Sequence, residues 1–322
     1  MDVICLGILV ADIFASPIAA LPAPGQLGLT DRFLFGAGGC ATNTAACLSR
    51  LGRSVKVLGK VGNDVFGNLV VNDLKRLGIE ADSVVRSQSD PTSGTVILNV
   101  ADEDRRYIHC IGANADFISD DMDFSVLDGA RALYVGGYMA MPRFGLEDLT
   151  RVFKEAKKRS LKTILDVVVP PGLAISREQL ERMLSLTDVF LPNDDEALLL
   201  TGVRDPLAQA NYFSSINPNC CVVITQGKRG SLARHGDEII KAGTYAVKSI
   251  DESGAGDAFA AGFITGVLES WPLQDTLKFA SAVGASCTRA LGCIEGVFCF
   301  DEAKVFVSEN SLHFERPAKL EG

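Results

Sequence analysis

Several residue types and patterns are scarce or missing in this chain of 322 residues, and each absence narrows its possible functions. The three histidines, His109, His235 and His313, are too far apart in sequence to suggest a local metal motif, and they give little support to histidine-based catalysis. No Gly-x-x-x-x-Gly-Lys-Ser/Thr motif occurs, so a Walker-type P-loop is excluded. No apolar run approaches the roughly 18 residues that a membrane span needs.

Cysteine is present, but without the spacing of a zinc site or a disulfide framework. The nine cysteines are odd in number, include no Cys-x-x-Cys and lie mostly in apolar runs, which predicts reduced core residues. A net charge of −9 disfavours nucleic acid and anionic membranes as partners. The first residues, Met1 to Gly7, lack the basic segment of a signal peptide. We therefore expect a cytoplasmic protein.

The hydrophobic pattern predicts an α/β fold in a single domain spanning residues 1–322. Residues 3–9 form a nearly continuous apolar run, which is typical of a strand buried on both faces. After residue 131, strands alternate with helices, and this indicates a mostly parallel sheet covered on both sides. The predicted strands there are 132–135, 163–169, 189–191 and 221–225, and the predicted helices are 146–159, 177–186, 196–200, 206–216, 258–268 and 273–291.

Two segments interrupt this alternation and predict a small β lid. Residues 13–36 include a stretch rich in proline and glycine, and residues 93–112 are typical of a hairpin turning at Asp102-Glu103-Asp104. Neither segment fits an α/β sandwich, so we expect them to lie over the functional site.

A glycine-rich turn, Ser253-Gly254-Ala255-Gly256-Asp257, lies between a predicted strand and a helix. Its small residues leave backbone amides unobstructed at a helix N-terminus, where the aligned peptide dipoles favour an anion. Such donors suit a phosphoryl group in transfer, and Asp257 is placed to accept a proton from an attacking alcohol. The alternative is a tight turn with Asp257 as a helix cap.

A second glycine-rich segment, Gly38-Gly39-Cys40-Ala41-Thr42-Asn43, occurs upstream. Gly39 would let the backbone approach a polyol, and the Asn43 amide offers both a donor and an acceptor to vicinal hydroxyls. A dinucleotide-binding fingerprint is the rival interpretation, but it requires an acid after the next strand. Gly59 and Lys60 stand there instead.

Residues 251–263 resemble the C-terminal signature of the ribokinase / phosphofructokinase-B carbohydrate kinases, and residues 38–62 resemble their N-terminal signature. The resemblance covers about residues 2–306 and implies a three-layer α/β/α sandwich with a β lid. It also implies an ATP-dependent kinase that phosphorylates a hydroxyl of a small sugar derivative. Asp257 would be the general base, and Gly254, Ala255 and Gly256 would form the anion hole.

The resemblance assigns further roles. Asp12, Gly38, Gly39 and Asn43 would bind substrate, and Asn193, Glu196, Thr225, Gly227 and Gly230 would bind ATP. Glu196 would act on Mg²⁺ through water, which suits the reluctance of that ion to lose its hydration shell.

Other site assignments are less direct. Asp251 and Ser253 would lie at a potassium-type ion site, although Glu252 replaces the usual Thr or Pro there. Asp166 is a candidate for the Mg²⁺/phosphate site or for substrate contact, with a structurally paired carboxylate as its alternative.

Substrate identity stays open at this point. Cys40 replaces the lysine of many ribokinases, so the resemblance does not establish ribose as the substrate. The segment Tyr138-Met139-Ala140-Met141 could face a nucleobase or pack in the core, which keeps a nucleoside kinase as the main alternative. A non-catalytic sugar-binding relative is a further alternative. Lid edges in this family often pair between subunits, so a homodimer is expected.

Overall fold

The computed structural model describes residues 1–100, 106–170 and 172–317. Its strands are β1 (Val3–Gly7), β2 (Val10–Ile18), β3 (Thr30–Gly38), β4 (Val55–Leu58), β5 (Lys60–Gly62), β6 (Val85–Ser87), β7 (Gly94–Val100), β8 (Arg106–Cys110), β9 (Ala132–Tyr138), β10 (Lys162–Val167), β11 (Val189–Phe190), β12 (Cys221–Thr225), β13 (Ser231–His235), β14 (Glu238–Ala242) and β15 (Phe314–Glu315). Its α-helices are α1 (Cys40–Arg50), α2 (Val65–Arg76), α3 (Leu146–Lys158), α4 (Arg177–Leu184), α5 (Asp194–Thr201), α6 (Pro206–Ile216), α7 (Ala255–Leu268), α8 (Leu273–Cys287) and α9 (Phe300–Glu309).

A nine-stranded sheet forms the centre of the molecule, in the order β15-β14-β13-β12-β11-β10-β9-β1-β4. The six strands from β12 to β4 pair in parallel, whereas β13, β14 and β15 continue the sheet in antiparallel fashion. Parallel strands need crossover connections, which the intervening helices supply. The carboxyl ends of the parallel strands therefore meet at one edge of the sheet.

Side-chain alternation divides the core into two layers, one on each face of the sheet. On β1, Val3 and Cys5 pack with helices α1, α2, α7, α8 and α9, whereas Ile4 and Leu6 pack with α3, α4, α5 and α6. All four side chains are fully buried. The prediction of a three-layer α/β/α sandwich is confirmed.

The segments predicted as a lid form a separate four-stranded sheet, in the order β3-β2-β7-β8. The hairpin of β7 and β8 is antiparallel as predicted, although its turn at 102–104 lies outside the described residues. The pairing of β2 with β7 is parallel, and no local sequence pattern indicated it.

Several elements differ from the sequence-based prediction. Strand β5, which pairs in parallel with β6, was not predicted. Helix α8 ends at Cys287 rather than near residue 291, because the Thr288 carbonyl accepts hydrogen bonds from the amides of Ile250 and Asp251. Helix α9 was not predicted. Within the described ranges, no helix combines the length and apolar character needed to cross a membrane.

Candidate active site

A cleft of about 210 Å³ opens at the carboxyl ends of the parallel strands, next to the N-terminus of α7. It brings together residues that are far apart in sequence: Cys40, Asp166, Val167, Val168, Leu191, Asn193, Glu196, Thr225, Glu252, Gly254, Ala255, Gly256, Asp257, Phe259 and Ala260. Eight of the site residues predicted from the sequence, Asp166 among them, therefore line one cavity.

The N-terminus of α7 presents backbone amides to this cleft. Gly254 precedes the helix with a φ of 72°, and a Cβ at this position would lie 2.6 Å from the Cβ of Cys293. Only glycine fits both the left-handed backbone and the close approach. The first amides of a helix have no intrahelical acceptor, so those of Gly256 and Asp257 are suited to an external anion.

Asp257 stands in the first turn of α7, between the amides and helix α1. Its Oδ2 accepts a hydrogen bond from Nδ2 of Asn43 at 2.9 Å. Burial raises the pKa of Asp257 to about 6, and hydrogen bonds from Asn43 and Cys40 oppose that rise. The carboxyl group thus titrates much closer to neutral pH than an exposed aspartate.

Three further carboxyl groups line the same cavity, those of Asp166, Glu196 and Glu252, and the first two have raised pKa values. Burial raises the pKa of Glu196 to about 7, and the charges of Asp195 and Asp257 add to the shift. Burial also raises the pKa of Asp166 well above its ordinary value, with Glu196 and Asp257 contributing, although the Tyr134 hydroxyl donates to Asp166 Oδ2 at 2.8 Å. No Lys or Arg stands among the described lining residues, so no cationic side chain there favours ionisation of these carboxyl groups.

Carboxyl groups without a cationic side chain beside them suit a bound cation, which would favour their ionised forms. Ligand atoms of Cys40, Asp166 and Asp257 lie within 4.8 Å of one another. Carboxylate oxygens are the ligands that Mg²⁺ prefers, and it usually retains several waters. The carboxylates of Asp166 and Asp257 therefore fit a hydrated Mg²⁺, whereas the Cys40 thiol is not a ligand that this ion favours.

Asn193 and Glu196, predicted from the resemblance to bind ATP, form a reciprocal helix cap at the wall of the cleft. Oδ1 of Asn193 accepts from the Glu196 amide, and Oε2 of Glu196 accepts from the Asn193 amide, both at 2.8 Å. Thr225 lies beside Asn193 in a parallel bridge. Gly227 and Gly230 follow in the turn after β12 and do not line the cleft. A Cβ on Gly230 would collide with the Ala242 carbonyl, so this glycine permits a close backbone approach.

Asp12, on lid strand β2, and Asn43, on α1, do not line the cavity. Asn43 is only 7% exposed, and its Oδ1 has no hydrogen-bond partner among the described residues. Burial raises the pKa of Asp12 to about 6. A Cβ on Gly38 would collide with the Asp12 carboxylate, and Gly39, with a φ of 93°, lies against the Ile8 carbonyl.

Sequence reasoning missed Thr95 as a partner of Asp12 and His109 as a partner of Thr95, and it did not assign Cys40 to the cleft. Thr95 hydrogen-bonds to Asp12 and also to Nδ1 of His109, at 3.0 Å. These three residues come from three lid strands, so no local pattern links them. Cys40 follows the paired glycines directly, and that position was the available signal.

Asp251 orders the turn that precedes α7. Its two carboxylate oxygens accept hydrogen bonds from the amides of Ser253 and Gly292, each at 2.9 Å. The side chain of Asp251 is buried, and neither Asp251 nor Ser253 lines the cleft. A monovalent-cation site at these residues stays a prediction.

The family described as "pfkB family carbohydrate kinase" matches residues 1–297 of this chain. The chain belongs to this family. As a PfkB carbohydrate kinase it is a phosphotransferase with a sugar hydroxyl as acceptor, which confirms the enzyme class predicted from the two glycine-rich signatures.

The relatives of this PfkB kinase include enzymes named for different substrates. It is 28% identical to the 2-dehydro-3-deoxygluconokinase of Bacillus subtilis, with 90% of this chain and 92% of the relative covered. It is 29% identical to the 5-dehydro-2-deoxygluconokinase of Clostridium tetani, with 84% of each covered. The structure of Arabidopsis thaliana ribokinase complexed with ribose and ATP matches with a TM-score of 0.80 and 24% identity, over 95% of this chain and 98% of that one.

The apolar segment that could have faced a nucleobase is part of the core of the PfkB kinase. Tyr138 and Met141 are buried, and the Tyr138 ring packs edge-to-face against Phe144. Core packing accounts for both side chains, so the segment gives no support to nucleobase stacking.

Replacing Asp257 by asparagine should stabilise the folded protein. The folded-state pKa of Asp257 is about 6 against an ordinary 3.8, so ionisation costs stability as the pH rises through this range. At pH 7.5 we expect a gain in unfolding free energy of at most about 3 kcal/mol, shrinking as the pH falls toward 4. Thermal and denaturant unfolding at several pH values would measure it.

Asp275→Asn is the matched control, because Asp275 is an exposed carboxylate in the first turn of the neighbouring helix α8. It should give no gain. Equal effects of the two substitutions, or a gain for Asp257→Asn that does not depend on pH, would contradict the electrostatic explanation.

Proposed function

We propose that this PfkB kinase transfers the γ-phosphoryl group of ATP to a hydroxyl of a small sugar derivative, with Asp257 as the general base. The observation that carries the proposal is the shared cleft. Asp257, residues 254–256 at the N-terminus of α7, and Asn193 and Thr225 on the proposed nucleotide side all line one cavity.

The proton transfer follows from the environment of Asp257. A pKa near 6 leaves the carboxylate ionised at neutral pH, yet makes it a stronger base than an exposed aspartate. The hydrogen bond from Asn43 fixes Oδ2, so the carboxylate can direct its other oxygen at an acceptor hydroxyl. The deprotonated hydroxyl oxygen would then attack the γ-phosphorus, the bond to the bridging oxygen would break, and ADP would leave.

The transferred group would be stabilised by charges and dipoles that are already in place. The amides of Gly256 and Asp257 would donate to the equatorial oxygens on which negative charge develops. Mg²⁺, when bound with ATP, supplies positive charge that neutralises the phosphate oxygens. Asp166 and Glu196 would hold its hydrated form in the cleft.

The substrate would bind on the lid side through hydroxyl groups. The unpartnered Oδ1 of Asn43 and the buried Asp12 carboxyl are acceptors, and a polyol offers matching donors. The relatives of known name act on sugar acids and on ribose, so we propose a sugar or sugar derivative. A nucleoside acceptor is the alternative within the same fold.

A coupled assay of ADP formation with sugars, sugar acids, sugar phosphates and nucleosides would identify the acceptor. We expect at least one sugar derivative to stimulate ADP formation in the presence of Mg²⁺. Asp257→Asn should lower kcat by about 10²- to 10⁴-fold, because the base is lost, while ATP still binds.

Asp275→Asn again serves as control and should keep full activity. Undiminished turnover by Asp257→Asn would remove Asp257 from the mechanism. A sugar that binds but never stimulates ATP consumption would instead support the non-catalytic alternative.

The pH dependence of kcat should report the Asp257 environment. At saturating acceptor we expect an acid limb near pH 6, with activity lost as the pH falls and the base is protonated. Asn43→Ala removes a hydrogen bond that lowers the pKa of Asp257, so the limb should move to higher pH. Asp12→Asn should raise KM for the acceptor without moving the limb. An acid limb at the same pH in Asn43→Ala as in the wild type would contradict the effect of this hydrogen bond on the pKa of Asp257.

We also propose that the lid mediates a homodimer. Residues paired across strands point to the same side of a sheet, so Asp12, Thr95 and His109 share one face. Phe33, with 71% exposure, and Ile108, with 64%, lie on the other face. Neither outer lid edge, β3 or β8, pairs with another described strand.

Light scattering should give twice the mass of the 34.3 kDa chain. Phe33→Ser combined with Ile108→Ser should give monomers, because it removes the exposed apolar face. Leu199→Ser, at an exposed leucine of α5, is the control and should leave the dimer intact. A wild-type monomer would contradict the proposal.

A further inference from the structure

The cleft proposed to bind a triphosphate is itself strongly acidic. Four carboxyl groups line it, those of Asp166, Glu196, Glu252 and Asp257, and no Lys or Arg appears among its described lining residues. A nucleotide triphosphate adds several negative charges to this environment. Like charges a few ångströms apart cost about 1 to 4 kcal/mol at the effective dielectric constants of protein surfaces. Cations must therefore offset the repulsion.

Glu252 differs from the other three acids, because a lysine side chain contacts it. Nζ of Lys228 lies 2.8 Å from Oε1 of Glu252. Lys228 belongs to the tight turn Gly227–Arg229, which directly follows the Thr225 end of β12. The ion pair thus joins the turn after β12 to the residues that precede α7, two segments that meet at the cleft.

The backbone of this turn is held firmly, whereas the lysine side chain is exposed. The Arg229 guanidinium pairs with Asp194 at the start of α5, and the Gln226 amide donates to the Gly230 carbonyl at 2.8 Å. The Lys228 side chain is 85% exposed and that of Glu252 is 53% exposed. The anchored backbone limits the positions that the Lys228 ammonium can reach. Because the side chain is exposed, the ammonium can also contact a further anion.

Stability of the fold does not explain this pair. Exposed ion pairs typically contribute about 0 to 1 kcal/mol, because solvent screens them and two long side chains must be ordered. An ammonium has three donors, so Lys228 can donate to Glu252 and to a phosphate oxygen at the same time. This double contact requires a phosphate group within reach of the ammonium, and the proposed function places one in the cleft.

We propose that Lys228 is a nucleotide-binding residue that bridges Glu252 and the phosphate groups of ATP, and that Glu252 is tolerated in the cleft because Lys228 neutralises it. The inference rests on the proposed function, since it takes the cleft as the triphosphate site. Lys228 contributes to binding and positioning rather than to proton transfer.

Lys228→Ala should raise the Kd for ATP on the order of ten-fold at low ionic strength, because the cation is lost and the Glu252 charge is left facing the phosphates. Lys228→Ala combined with Glu252→Gln should recover most of that loss, since the repelling charge is removed as well. Glu252→Gln alone should not weaken ATP binding. The Kd for adenosine, which carries no phosphate, should be the same in all four proteins.

Displacement of a fluorescent ATP analogue, with and without Mg²⁺, would measure these affinities without any sugar acceptor. Lys75→Ala is the matched control, because Lys75 forms a similarly exposed ion pair with Asp82 and its loss changes the net charge equally. The effect of Lys228→Ala should shrink as salt is raised from about 20 mM to about 500 mM, through screening.

The possible failures are distinguishable. A wild-type protein that binds no ATP would overturn the proposed function itself. ATP binding by wild type, with Lys228→Ala matching Lys75→Ala, would overturn the role of Lys228. A double variant as weak as Lys228→Ala would overturn the pairing with Glu252, and weakened adenosine binding would show that the substitution had disturbed the site through its structure.

Discussion

Burial of carboxyl groups around one helix N-terminus is the constraint on which this site depends. Asp257, Asp166 and Glu196 each have a raised pKa because burial penalises their charged forms. The charge of Asp257 adds to the shifts of Asp166 and Glu196, and that of Glu196 adds to the shift of Asp166. The positive end of α7 and the hydrogen bond from Asn43 offset part of the cost. Packing in the rest of the fold must offset the remaining free-energy cost. The two-layered core around the nine-stranded sheet therefore supports the site indirectly.

Close helix packing makes this arrangement possible. A Cβ on Gly262 of α7 would lie 2.7 Å from the Ala280 Cα of α8, so the small residue lets the two helices approach closely. Gly254 lets the start of α7 lie against Cys293, and Gly39 lets the start of α1 lie against the Ile8 backbone. Two helix N-termini are thereby brought to the same cleft, and Asn43 on α1 reaches Asp257 on α7. The glycines of the two signatures thus set distances as well as expose amides.

Local patterns predicted much of the fold and part of the site. Helix α6 coincides with its predicted range, because Asp205 caps it and Pro206 begins it. Helix α3 differs by one residue, because a repeating apolar face defines it. The paired glycines and the turn at 254–256 were recognisable since backbone access to a ligand requires small residues at fixed spacing. The parallel pairing of β2 with β7 and the contacts among Asp12, Thr95 and His109 were not predictable, because they join distant segments through tertiary packing.

Structural and functional explanations of a motif turn out to be compatible here. Asn193 and Glu196 form a complete reciprocal helix cap, which a purely structural interpretation of the sequence would have predicted. The cap uses Oε2 of Glu196 and holds its carboxyl group at the cavity wall, where burial raises its pKa. The local hydrogen bonds that stabilise the helix therefore also fix the orientation of a group suited to a hydrated cation. The structural role of such a residue is consequently no argument against a functional role. In this site the helix cap is what holds the functional carboxyl group in place.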